Sequence, residues 1–121
     1  MESKKLAEKL GDLMLQKNGK DILIMDLRSL TTVTDFFVIC SASSDVQVKA
    51  IAEYIKDETG KLDEGPWHKE GFTNFKWVLL DFVNVVVHIF LEDSRKFYDL
   101  EGLWADAPVT IVSDEELNEK T

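Results

Sequence analysis

Two strand-forming runs stand almost back to back in this 121-residue chain, residues 75–81 (FKWVLLD) and 84–91 (NVVVHIFL), with only Phe82 and Val83 between them. So short a separation leaves a β-hairpin as the natural reading, and a hairpin fixes which side chains share a face. A two- or four-residue loop pairs positions whose numbers sum to 165, setting Trp77 opposite His88, Leu79 opposite Val86 and Asp81 opposite Asn84. The other face then carries Val78, Leu80, Val85, Val87, Ile89 and Leu91, all aliphatic, and is the face that helices must cover. The mixed face, with Trp77, Leu79, Asp81 and His88, is left for a partner. Val83 is poor chemistry for a tight turn, because a β-branched residue pays heavily for a positive φ.

The remaining patterns supply the rest of an α+β domain with a mixed sheet. Leu6, Ala7, Leu10, Leu13, Met14 and Lys17 recur at steps of three and four, which predicts a helix over 3–18 with Ser3 as N-cap and Gly19 after its end. Residues 22–27 and 35–40 read as buried strands. Ser44 and Gln47 have capping-box spacing and open a helix with the stripe Val48, Ile51, Ala52 and Ile55, predicted to stop before Gly60. Residues 61–74 form a connection with a short edge strand over 66–69. In the stretch 92–106, Phe97, Leu100 and Trp104 are spaced for one or two helical turns, with Phe97 and Trp104 anchoring to the sheet and Tyr98 and Leu100 extending the mixed face. A single domain over 1–107 and an acidic tail over 108–121 complete the division, with 114–121 frayed.

Charge and chemistry narrow the function classes. The formal net charge is −9, and residues 92–121 alone carry nine acids against three bases. Such a field repels phosphate backbones and favours basic partners, so sequence-specific nucleic-acid binding is not expected. A lone cysteine, Cys40, cannot build a disulfide framework, and a cytoplasmic location is expected. No apolar run approaches the ~20 residues that cross a bilayer. His68, His88 and Cys40 lie in unrelated segments, so neither a metal nor any other cofactor is expected.

Catalysis has one candidate place, the small-residue turn of residues 41–44 between strand and helix, whose N–H groups suit a phosphate. The turn lacks glycine and lysine, and no strand offers a carboxylate pair for metal, so the enzyme reading, a nucleotide-binding or nucleotidyltransferase activity at Ser41 to Ser44, ranks second. The first reading is a protein-binding surface built from Trp77, Leu79, Asp81, His88, Tyr98, Leu100, Glu101 and Trp104, with aromatics supplying affinity and acids selecting the partner. Homodimerisation through the same face is a third.

The order and spacing of several motifs resemble the ribosomal silencing factors of the RsfS (Iojap/YbeB) family. They are TDFFVIC at 34–40, VKAIA at 48–52, Glu70-Gly71, WVLLD at 77–81, VVHIF at 86–90, and Arg95, Tyr98, Leu100, Glu101, Leu103 and Trp104. The resemblance implies a nucleotidyltransferase-like core without catalytic residues. It also implies binding to the large ribosomal subunit through ribosomal protein L14, which blocks small-subunit joining and lowers translation when nutrients are scarce. Two positions depart from the family pattern: Val83 and Ser41 stand where glycine is usual.

Overall fold

The computed structural model describes residues 1–113; the frayed segment expected at 114–121 lies outside them. Helix α1 (Ser3–Gln16) buries Leu6, Ala7, Leu10, Leu13 and Met14 along one stripe. Its N-cap is Glu2 rather than Ser3, with no side-chain bond. At the other end Asn18 takes the left-handed conformation (φ 62°), while its N–H bonds the Leu15 carbonyl and that of Gly19 bonds Met14. This is a Schellman closure in which asparagine, not the adjacent glycine, accepts the positive φ.

Strands β1 (Lys20–Asp26) and β2 (Phe36–Ala42) run antiparallel, and helix α2 (Asp45–Lys61) follows. Half of the expected capping box is formed: Ser44 Oγ accepts from the Gln47 N–H at 3.1 Å, but Gln47 Oε1 accepts from the N–H of Ser43, one residue before the cap, at 3.1 Å. The helix does not stop before Gly60. It runs through to Lys61, because buried Thr59 bonds its hydroxyl to the Ile55 carbonyl and the closure falls on Asp63, at φ 55°. A single interior glycine costs only ~1 kcal/mol, too little to break such a well-packed helix.

Next come β3 (His68–Glu70), β4 (Trp77–Asp81), β5 (Val85–Leu91), α3 (Glu92–Tyr98), α4 (Leu100–Leu103) and β6 (Val109–Val112). The sheet order is β3-β4-β5-β2-β1-β6, mixed because the central pair β2 and β5 is parallel and every other neighbour antiparallel. Helices α1 and α2 cover one face. There Ile22, Ile24, Phe36, Val38, Cys40, Val78, Leu80, Val85, Val87 and Ile89 meet the two helical stripes in one core. A fully buried side chain of this kind contributes roughly 1.5–3 kcal/mol. The segment assigned to an acidic tail beyond 107 contributes a strand: β6 pairs with β1, Met25 facing Val109 and Ile22 facing Val112. Its four β-branched residues satisfy the outer edge of β1.

The hairpin divides its faces as expected but in another register. Leu79 pairs with His88, Trp77 with Phe90 and Asp81 with Val86, a two-residue shift from the sum of 165. Asn84 falls outside the β4–β5 ladder; its carbonyl accepts from the N–H groups of Asp35 and Phe36. The turn explains the shift. Val83 sits at φ 75°, the Asn84 N–H bonds the Phe82 carbonyl across it at 3.0 Å, and the Phe82 N–H bonds Val85. That is a γ-turn of the strained kind, braced by Asp81 Oδ1 accepting from the Val83 N–H at 2.8 Å. An even shift preserves side-chain parity, so the aliphatic and mixed faces survive it.

Gly71, at φ 88°, closes the β3–β4 connection against the Trp77 carbonyl, where any Cβ would collide. Because a valine at positive φ costs on the order of 1 kcal/mol or more, Val83→Gly is expected to stabilise the protein by about 1 kcal/mol. Thermal unfolding should show a midpoint about 3–5 °C higher. An unchanged midpoint would remove strain from this account of the turn.

Candidate functional site

The sheet face turned away from α1 and α2 is built around an aromatic cluster. Trp77 stacks on its cross-strand partner Phe90, with ring centroids 4.9 Å apart, and meets Tyr98 of α3 at 4.6 Å. Diagonally, the Trp77 indole Nε1–H donates to His88 Nδ1 at 3.0 Å. Phe37 of β2 stands edge-on to His88 at 4.6 Å and to Trp104 at 6.2 Å. Beneath these lie Met25, Leu27, Ile39, Phe90, Leu100 and Ala107, a second core smaller than the first.

Arg95 locks α3 onto this face. Its guanidinium, buried to 9% exposure, donates to the Asp21 carbonyl at 2.7 Å, to Ser41 Oγ at 2.9 Å and to Glu101 Oε2 at 3.3 Å. Asp21 (φ 50°) lies where the β1–β2 register slips, so its carbonyl is available to the arginine. The hydroxyl comes from Ser41, one of the two departures from glycine. Ser41 and Ala42 belong to β2 rather than to the turn expected over 41–44, which shortens to Ser43 and Ser44, both bonded to Gln47 at the start of α2.

The eight candidate residues separate into three groups. Trp77, Leu79 and Trp104 are half-buried and Tyr98 exposed, all reaching the surface of this face. His88 and Leu100 lie beneath them, at 4% and 9% exposure, and support rather than present the surface. Asp81 and Glu101 are committed within the chain, Asp81 to the hairpin turn and Glu101 to Arg95.

Phe97 and Leu100 exchange their expected roles. Phe97 is 81% exposed and Leu100 is the anchor, because the helix breaks at Asp99 (φ 46°), whose carboxylate caps α4 through the Gly102 N–H at 3.1 Å. Spacing of three and four between Phe97, Leu100 and Trp104 defines one face only if the helix is continuous. Sequence reasoning also missed Phe37 and Leu103, and Val109 and Ile111 of β6, whose partners Met25 and Leu23 place them on the same face. The β-branched run Val109-Thr110-Ile111-Val112 is the signal that was available for the last two.

Burial holds His88 neutral, its pKa pushed down from 6.5 to about 4. With Nδ1 accepting from the indole, the ring proton sits on Nε2, which has no partner among the described residues. The imidazole is thus a packing and hydrogen-bonding element unsuited to proton transfer near neutrality. Burial also pushes the Cys40 thiol up to about 12, which leaves it unreactive. Among the described residues no three His, Cys, Asp or Glu side chains gather as metal ligands. No described helix is long and apolar enough to cross a membrane.

One sealed aliphatic face and one aromatic face, on a six-stranded mixed sheet, define the class: an α+β domain with helices packed mainly on one side of its sheet and an aromatic surface on the other. A family model described as "Ribosomal silencing factor during starvation" matches residues 1–121, and the chain belongs to this family, RsfS. The ribosomal silencing factor RsfS of Bacillus subtilis is 45% identical over 93 residues, covering 77% of this chain and 79% of that protein. The chloroplastic protein Iojap of Zea mays is 38% identical over 98 residues, covering 78% of this chain but 41% of that longer protein. A crystal structure from Chromobacterium violaceum superposes with a TM-score of 0.81 at 32% identity, covering 87% of this chain and 88% of that one.

The depressed pKa of His88 predicts acid sensitivity. Above pH 6.5 both folded and unfolded states hold the ring neutral; as pH falls toward 4 only the unfolded state gains the proton, so stability is lost across that window. Between pH 7 and 4.5 the loss from this residue is about 2–3 kcal/mol. Urea titrations of wild type and His88→Gln, which retains an acceptor for Trp77, should show the variant losing less by about that amount. Parallel losses would assign the acid sensitivity elsewhere.

Proposed function

We propose that the protein docks its aromatic face on the large ribosomal subunit, at ribosomal protein L14, and there blocks joining of the small subunit. Translation falls by occupied space, with no bond made or broken by the protein. The observation that carries this reading is the exposed pair Phe97 and Tyr98 beside Trp77, with exposed Leu103 next to Trp104 in the chain, on a helix anchored by Arg95. Buried aromatic anchors dominate protein interfaces, and a monomer rarely leaves such a patch uncovered. In the absence of subunits the same patch pairs with a second copy of the chain.

Charge supports the choice of partner. A net charge of −9 raises the encounter rate with a basic ribosomal protein. The family description supports a ribosomal role, and a murine relative named for mitochondrial assembly of the ribosomal large subunit, 33% identical over 98 residues, supports a large-subunit partner.

Tyr98→Ala combined with Leu103→Ala removes two exposed side chains from the patch. Affinity for large subunits, read by cosedimentation, is expected to fall at least about thirtyfold. Urea stability should change by less than about 1 kcal/mol, since neither side chain is in a core. Undiminished cosedimentation and undiminished inhibition of subunit joining by the folded variant would move the docking site elsewhere.

A further inference from the structure

On the opposite side of the β3 edge, lysines and aromatic surface stand side by side in a chain whose net charge is −9. A concavity between the end of α2 and β3 is lined by Lys56, Trp67, His68 and Lys69 with Pro66 and two glycines, and no carboxylate lines it. Trp67 is 83% exposed. Its N–H bonds the Asp81 carbonyl at 2.7 Å, so the indole is fixed to the sheet edge by its backbone and projects from an ordered strand end.

The stripe continues along α2. The ammonium groups of Lys69 and Lys56 lie 5.0 and 5.7 Å from the centroid of Phe72, and that of Lys49 lies 5.7 Å from Phe75. Phe72 and Phe75 pack edge to face at 5.6 Å. Lys49 and Lys56 are seven residues apart, two helical turns, and share a side of α2. Lys56 is paired with Glu53 at 3.1 Å, whereas Lys49 and Lys69 take part in no ion pair among the described residues.

Alternating lysines and aromatics with one exposed indole match the chemistry of single-stranded nucleic acid, phosphates on the ammonium groups and a base on the ring. Phe72 and Phe75 are half-buried against the main core, whereas the Trp67 indole and the lysines serve neither that core nor the aromatic docking face. We infer that the Lys49–Lys56–Lys69 stripe and Trp67 contact ribosomal RNA beside the protein-docking site. The contact is to phosphate and to an unstacked base, and it is not sequence-specific. It rests on the docking proposal, since β3 borders β4, whose other face carries Trp77 and Leu79. A subunit surface that wraps this edge touches both.

The test measures large-subunit affinity against salt concentration for wild type, Trp67→Ala, and the double variant Lys56→Gln with Lys69→Gln, with circular dichroism confirming the fold. Affinity is expected to fall about tenfold for Trp67→Ala. The slope of log affinity against log salt should shrink by about 1–2 for the lysine variant. Affinity for the isolated ribosomal protein should be unchanged in both. Normal subunit binding and salt slope in the variants would overturn the RNA contact while leaving the docking proposal standing. A loss that reappears with the isolated ribosomal protein would make the stripe a protein contact instead. Failure of wild type itself to bind subunits would overturn the docking proposal and this contact with it.

Discussion

Everything in this molecule is arranged around the parallel pairing of β2 with β5 at the centre of the sheet. Parallel neighbours need a long crossover, supplied here by α2 and the β3–β4 excursion, and their strands tolerate water on neither face. Val38, Cys40, Val87 and Ile89 are sealed by α1 and α2; Ile39, His88 and Phe90 require a second cover. The short helices α3 and α4 are that cover. They are too small to close the face, and what they leave open is the aromatic patch.

Burial of a cation makes this cover rigid. Arg95 ties α3 to β1, β2 and α4 through the Asp21 carbonyl, the Ser41 hydroxyl and Glu101, so three elements meet on one guanidinium. Removing a partner from such a group leaves charge desolvated and unpaired, which costs several kcal/mol. Under the docking proposal this anchoring would serve recognition as well as stability, because a backbone already held in place beneath Phe97, Tyr98 and Leu103 loses little entropy when a partner arrives.

The hairpin's division into faces was legible in the sequence because alternation in WVLLD and VVVHIF survives any even shift of register. The register was not, since it hangs on Val83 adopting a positive φ that its side chain disfavours. A similar left-handed residue, Asp99, hid the roles of Phe97 and Leu100 by breaking what spacing presents as one helix. The aromatic character of the site was readable from residue types alone. That Asp81 and Glu101 serve the fold was not, because each meets a near neighbour only through a left-handed residue, Val83 for Asp81 and Asp99 for Glu101.

Oxidative footprinting of side chains with and without large subunits reads the central claim most directly, that one face docks while the other is sealed. Phe97, Tyr98, Leu103 and Trp104 should lose reactivity when subunits are added, while exposed residues of α1, such as Lys4 and Glu8, keep theirs. Protection of α1 with undiminished oxidation of Phe97 and Tyr98 would contradict it.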